Sequence, residues 1–230
     1  MRRSMQMDDR LGEKPVLDVW DLCLDLCLEA INAGSLGISA VIADPDGEVV
    51  AKGRNQLFDD ADSCNMIRNT VVSHAEINAL ANLPQEYRAS KDLTIYTTVE
   101  PCPMCMGALS MSRIRRVVIG SADDHAGATR LIEKDPYLKS KGFQISFIDG
   151  EYERLFFVLH TYSLVVNRGL PLTHRFFEAV AGRYQTELSS LRELLNDEAF
   201  RSAVQSADTE RVKSHVLGNW CHSSTLSVRT

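Results

Sequence analysis

The sequence predicts an α/β protein: a three-layer α/β/α sandwich on a five-stranded mixed sheet, followed by a helical C-terminal extension. Three observations carry this. Short β-type apolar runs alternate with helical periodicity between residues 15 and 150. Asp44-Pro45-Asp46-Gly47 puts Pro and Gly where a tight turn needs them, so the first two strands form a hairpin. The next two strands, Leu93–Val99 and Arg116–Gly120, are separated by a helix, which implies a right-handed crossover and parallel pairing.

Taken in order, residues 1–14 lack periodicity and are expected to fray. Their basic start is followed by no apolar run, so it does not read as a signal peptide. From Leu17 to Ala33, Val19, Leu22, Cys23, Leu26, Cys27 and Ala30 follow helical spacing, and Gly34 offers a left-handed cap. Strands follow at Ser39–Ala43 and Glu48–Ala51. A polar loop, 57–70, leads to a helix that begins near Val72 or Ser73 and stops at Leu83-Pro84. A further helix is expected from Pro103 to about Ser112, and Phe143–Ile148 supplies the fifth strand. Residues 15–150 then form the core unit and 151–230 the extension. Within the extension Glu151–Val166 reads as a helix, although Phe156-Phe157-Val158 leaves a strand open. Two or three helices are expected over 173–216, packed on the core.

Composition narrows the classes. Apolar residues make up 44% of the 230, enough for a packed core. No apolar run approaches the ~20 residues of a membrane span. Six cysteines are too few for a disulfide scaffold, and two have metal-ligand spacing, which points to a reducing, cytoplasmic setting. The net charge of −6 argues against a nucleic-acid partner, which needs a basic face.

The densest chemical signal is His74-Ala75-Glu76 followed by Pro101-Cys102-Pro103-Met104-Cys105. One imidazole and two thiolates give three ligands for a zinc ion, and catalytic zinc sites keep three protein ligands with the fourth position left to water. Pro103 suits the first turn of a helix, which puts Cys102 at the helix mouth and Cys105 on the same side. Positions i and i+2 diverge in mid-helix, so His74 and Glu76 converge only at a helix start. Glu76 is then a carboxylate free to carry protons beside the ion. A purely structural zinc site competes, with Cys221 or His222 as a fourth ligand.

The combination His-x-Glu with Pro-Cys-x-x-Cys is the signature of zinc nucleobase deaminases. Over roughly residues 15–150 the chain resembles the cytidine deaminase superfamily, and Thr98–Leu109 resembles its guanine deaminase and tRNA adenosine deaminase branches. The resemblance implies a cytidine deaminase-like fold, one zinc ion held by His74, Cys102 and Cys105, and Glu76 as proton carrier. It also implies a homodimer that pairs through the helices around the metal. Family members carry Gly-x-Asn at the end of the second strand, where the asparagine bonds the base; Gly53-Arg54-Asn55 matches it. Here the segment from Asn55 to His74 is longer than usual, so Asn65, Arg68 and Asn69 also compete for the site, against a solvated loop.

Three further residues are candidate substrate contacts. Ala75 and Cys102 offer backbone donors at helix starts. Glu100 precedes Pro101 in a run that, by the resemblance, lines the pocket through its backbone, and a structural role for its side chain competes with a helper role. Asp124 lies with Asp123 and His125 at the carboxyl edge of the sheet, where α/β ligands gather, although a solvated turn competes and His125 reads as a surface residue. Cys23 and Cys27 read as core, and Cys64 as a free thiol. Phe176, Phe177 and Trp220 are either a lid or packing.

The expected function is hydrolytic deamination of a free base, nucleoside or similar amino-heterocycle. A guanine-like purine leads, with cytosine, isoguanine or a triazine open. The alternative is a tRNA adenosine deaminase. From Arg168 to Thr230, however, eight Lys/Arg stand against seven Asp/Glu, a net of +1 with no cluster. A third reading is a non-catalytic zinc-stabilised interaction module.

Overall fold

The computed structural model describes residues 17–59, 67–218 and 228–229. The chain runs α1 (Leu17–Asn32), β1 (Ser39–Ala43), β2 (Val49–Arg54), α2 (Ala75–Ala81), β3 (Thr94–Val99), α3 (Pro103–Met111), β4 (Arg116–Ser121), α4 (Pro136–Ser140) and β5 (Gln144–Ile148). It continues through α5 (Glu151–Val166), α6 (Arg175–Val180), α7 (Gln185–Leu194), α8 (Glu198–Gln205) and α9 (Thr209–Leu217) to β6 (Val228–Arg229).

The strand order is β2-β1-β3-β4-β5-β6. β1 pairs antiparallel with β2 and β3, whereas β3, β4 and β5 are mutually parallel. The mixed sheet is therefore as expected, with one addition. The two-residue β6 pairs antiparallel with β5 and makes six strands. So short a pairing on an otherwise open edge has no sequence periodicity to announce it.

The strands separate two hydrophobic cores. Val41, Tyr96 and Val118 face α1 and α5, while Ala40, Ile42, Ile95, Val117 and Ile119 face α2 and α3. Burial on both faces explains why β1 and β4 read as nearly continuous apolar runs rather than alternating ones. On the first face Trp20 is fully buried, with ring centroids 5.6 Å from Tyr96 and 5.4 Å from Phe156.

Residues 151–166 are helical throughout, so Phe156-Phe157-Val158 belongs to α5 and not to a strand. Beyond it, among the described residues, come four helices rather than two or three. Asp197 and Asp208 cap α8 and α9 by accepting from first-turn amides and so divide what periodicity alone merges. Phe176, Phe177, Leu188, Leu191, Phe200 and Val212 share one buried cluster with α1 and α5. Between β4 and β5 the short α4, unanticipated, starts at Asp135-Pro136, an N-cap followed by Pro at the first helical position. Among the described residues, no helix is long and apolar enough to cross a membrane.

α2 begins at Ala75, later than the expected Val72 or Ser73, because Ser73 is spent upstream. Its hydroxyl donates to the Ile67 carbonyl at 2.7 Å and its backbone N–H to Thr70 at 3.0 Å. The helix then lies directly on β2. A Cβ on Gly53 would sit 2.3 Å from the Ala79 nitrogen and 2.5 Å from the Ala75 carbonyl oxygen. Both are backbone atoms and cannot swing aside. Gly53→Ala is expected to destabilise the fold by about 3 kcal/mol, as over-packing does, with a lowered midpoint and unchanged slope in urea denaturation.

Candidate active site

Two helix starts converge on one point. His74 is the N-cap of α2 and Cys102 the N-cap of α3, and neither side chain caps its own helix. Both are released for another partner. Pro103 occupies the first helical position of α3, and Cys105 follows within the same turn. His74 Nδ1 lies 3.6 Å from each of the two sulfurs, and the sulfurs lie 3.6 Å apart. A tetrahedral zinc ~2.3 Å from each sulfur and ~2.0 Å from the nitrogen would set these edges at about 3.5 Å for nitrogen to sulfur and about 3.8 Å between the sulfurs. The three donors therefore fit one zinc ion. Among the described residues these three alone form a metal-holding group. Cys221 and His222, the candidate fourth ligands, lie outside the described residues, as do Cys64, Asn65 and Trp220.

The electrostatics favour thiolate. The Cys102 thiol is lowered to about 4, first by the hydrogen bond from Cys105 and then by His74, while Cys105 is raised and holds the proton the pair shares. His74 is raised, chiefly by its hydrogen bond to Cys102. The positive ends of α2 and α3 act in the same direction.

Glu76 sits on the first turn of α2, 3% exposed, with Oε2 3.3 Å from Cys105 Sγ. Thr97 Oγ1 donates to its other oxygen at 3.3 Å. Burial pushes its carboxyl above the ordinary range.

The metal-side residues open into a cavity of about 210 Å³ lined by Leu36, Ile38, Asn55, His74, Glu76 and Val99 on one part of its wall. Asn55 is buried there. Its Oδ1 accepts the backbone N–H of Leu36 at 3.4 Å and of Leu57 at 3.2 Å, which leaves its amide NH₂ as the group to offer a ligand. A buried polar network holds this loop. Asp59 takes a bidentate pair from Arg54 (3.0 and 2.7 Å), Gln56 Nε2 at 3.0 Å and Ser35 Oγ at 2.9 Å. Burial opposes its charge, but the bonds from Arg54, Gln56 and Ser35 outweigh that and hold its carboxyl below the usual range. Asn78 then ties Gln56 and Ser73 to α2.

The other candidates divide. Glu100 lines the cavity, but its carboxylate is committed to holding the loop after β4. It accepts Thr129 Oγ1 at 2.5 Å, Thr129 N at 3.1 Å and Asp123 N at 3.2 Å. Gly127 lies directly under it, where a Cβ would come within 2.3 Å of the Glu100 carboxyl carbon. Ala75 is buried at the first position of α2 and its side chain lies outside the cavity wall. Asp124 is outside the cavity too, a correction to the sequence expectation. Arg183, from the loop after α6, takes both its oxygens at 2.9 and 3.0 Å, and that pairing turns the side chain away from the metal. Arg68 and Asn69 do not line the cavity either. Asn69 instead takes a left-handed backbone (φ 47°) and bonds Gln56.

The remaining wall was not foreseen as a group. Asp123 and His125 face the cavity, so the turn after β4 is not merely solvated. Asp123 Oδ1 accepts from the backbone of His125 at 2.9 Å and Ala126 at 3.0 Å. His160 and Leu164 come from α5 and Phe176 from α6. Of the two phenylalanines weighed as lid or packing, Phe176 forms wall and Phe177 packs behind it, centroids 5.2 Å apart. A histidine inside the apolar run Phe156–Thr161 was the available signal for His160.

The family model for the cytidine and deoxycytidylate deaminase zinc-binding region matches residues 16–121. A cytosine deaminase of Candida albicans is 30% identical over 131 residues, 56% of this chain and 76% of that one. A guanine deaminase of Bacillus subtilis is 30% identical over 131 residues, 56% of this chain and 71% of that one. A tRNA(Ile)-lysidine synthase of Deinococcus radiodurans is 38% identical over 109 residues, 46% of this chain but 17% of that much longer protein. With the signature residues at one point and two relatives covered over more than two thirds of their length, the chain belongs to the cytidine deaminase superfamily of zinc-type deaminases.

Proposed function

We propose that this protein is a zinc-dependent hydrolytic deaminase of a free nucleobase or comparably compact amino-heterocycle, a guanine-like purine first, and that it releases ammonia. The observation that carries this is the cavity. At about 210 Å³ it is smaller than the ~300–1,000 Å³ typical of sites for drug-sized ligands, which suits a single heterocycle. His160 and Leu164 of α5 and Phe176 of α6 wall part of it. The cytosine and guanine deaminase relatives agree with a free base, and cytosine, isoguanine or a triazine fit the same space.

His74, Cys102 and Cys105 would hold the zinc. When bound, the metal supplies Lewis acidity that makes hydroxide available near neutral pH. Glu76 does the proton work. Its carboxylate takes a proton from the attacking water, delivers it to a ring nitrogen, and then helps protonate the amine that leaves as ammonia. Thr97 steadies the carboxylate through Oε1, which leaves Oε2 as the oxygen beside the metal ligands. Asn55 orients the base by donating from an amide whose oxygen is already engaged. Its acceptor on the base is a carbonyl or ring nitrogen. Backbone N–H groups at the starts of α2 and α3, Ala75 among them, steady developing negative charge. Glu100 shapes the wall by holding the Asp123–Thr129 loop.

The −6 net charge and the scattered arginines of the extension weigh against tRNA as substrate. Exposed Met111 and the apolar groove beside it, with Leu83, Tyr87 and Ile114, are consistent with a homodimer through the metal-side helices.

An ammonia-release screen of zinc-loaded protein against free bases and nucleosides tests the reading, with turnover of a free base expected. Salt-sensitive tRNA binding without base turnover would transfer the assignment to tRNA adenosine deamination, and neither activity would leave a zinc-stabilised module. Glu76→Gln is expected to keep zinc, by metal analysis, while kcat falls about 100- to 10,000-fold. Cys105→Ala is expected to lose stoichiometric zinc and all turnover. X-ray absorption of the wild type should give one nitrogen, two sulfurs and one lighter non-protein donor, and four protein donors would sink the catalytic assignment.

A further inference from the structure

His160 is a polar side chain in the cavity wall that the proposed mechanism does not use. It is 6% exposed, on the cavity-facing side of α5. Neither ring nitrogen has a hydrogen-bond partner among the described residues, and the Asp123 carboxylate of the same cavity wall acts on the ring by charge alone. The buried side-chain nitrogen left without a partner among the described residues is Trp20 Nε1, so the His160 nitrogens keep their access to the cavity. Its ring is nevertheless held in a defined orientation. Phe176 packs edge-on against it at 5.6 Å, and the same Phe176 meets His125 at 5.7 Å. An imidazole fixed in place, almost removed from solvent, and unpaired in a cavity wall is prepared for a bond that a ligand completes.

We propose that His160 is a specificity-determining residue. Its imidazole hydrogen-bonds a ring nitrogen or exocyclic group of the substrate heterocycle and so selects bases that present a polar edge to α5. This rests on the free-base reading above and assigns to the extension a share of the recognition. Burial keeps the imidazole's pKa below its ordinary value, against the opposing pull of Asp123, so the ring works neutral, with one donor and one acceptor. Asn55 offers only donors to the cavity. A neutral histidine adds the acceptor that Asn55 lacks, so together they read a base that carries both a donor and an acceptor. A base with an apolar edge at that position would leave His160 unpaired and be rejected, the kind of discrimination that is strongest when the site itself holds buried polar groups.

The test uses the full-length zinc-loaded protein with His160→Leu and His160→Gln. On whichever base the wild type deaminates, His160→Leu is expected to raise KM about tenfold, the loss of one hydrogen bond. Its kcat should stay within about threefold and its Tm should be unchanged, because no protein hydrogen bond is lost. His160→Gln should recover part of the KM. A wild-type KM in His160→Leu overturns the proposal, and a lowered Tm alongside it assigns His160 to packing. If the wild type deaminates no base, the proposed function falls and His160 is judged on binding. Guanine and cytosine are then added to the ¹⁵N-histidine-labelled protein. A shift in the imidazole resonance that is missing from His160→Leu supports recognition, and no shift overturns it.

Discussion

Two cysteines and a carboxylate crowd one point, where only Cys102 ionises readily while Cys105 and Glu76 are held toward their neutral forms, and the molecule is organised around making more negative charge there tolerable. The positive ends of α2 and α3 point at the same spot, His74 adds a positive or metal-binding partner, and the remaining charge is matched to a dication. Neither helix is long. α2 has 7 residues and α3 has 9, so neither would be stable by itself. Their stability comes from packing on the sheet, with Gly53 letting α2 approach β2 at backbone distance. The sheet is in this sense a platform that holds two weak helices end-on to a metal.

The loop between β2 and α2 solves a related problem. It must carry Asn55 into the cavity and still deliver His74 at the right angle. It does so with buried polar groups rather than apolar ones: Asp59, Arg54, Gln56, Ser35, Asn78 and Ser73 satisfy one another. Such a network is directional. It fixes the backbone amides and carbonyls in a way that a greasy contact does not, and it leaves the Asn55 oxygen engaged before any ligand arrives.

The metal donors were legible because their signal is local. A helix-start residue, a proline at the first helical position and a cysteine one turn later define geometry within a few residues, and Pro101 through Cys105 carries nearly all of it. The β1–β2 hairpin was legible for the same reason, through Asp44-Pro45-Asp46-Gly47. The far wall of the cavity was not. His160 and Phe176 stand 55 or more positions beyond Cys105, and only tertiary packing returns them to the metal. Asp124 misled because Asp123 and Asp124 are equivalent in sequence, and only the Arg183 pairing distinguishes them. The helix count in the extension failed because Asp197 and Asp208 act as caps inside a stretch that periodicity runs together. α4 was missed because five residues give periodicity nothing to register.

The two hydrophobic cores on opposite faces of the sheet are built from almost separate sets of side chains. The metal-bearing helices belong to one, while α5, α6 and the rest of the extension belong to the other. The donors His74, Cys102 and Cys105 and the far wall of the cavity thus rest on different foundations within a single chain. Drift in the second core can reshape that wall without disturbing the helix starts that carry the donors, an arrangement that lets one part of the cavity vary while the other is held.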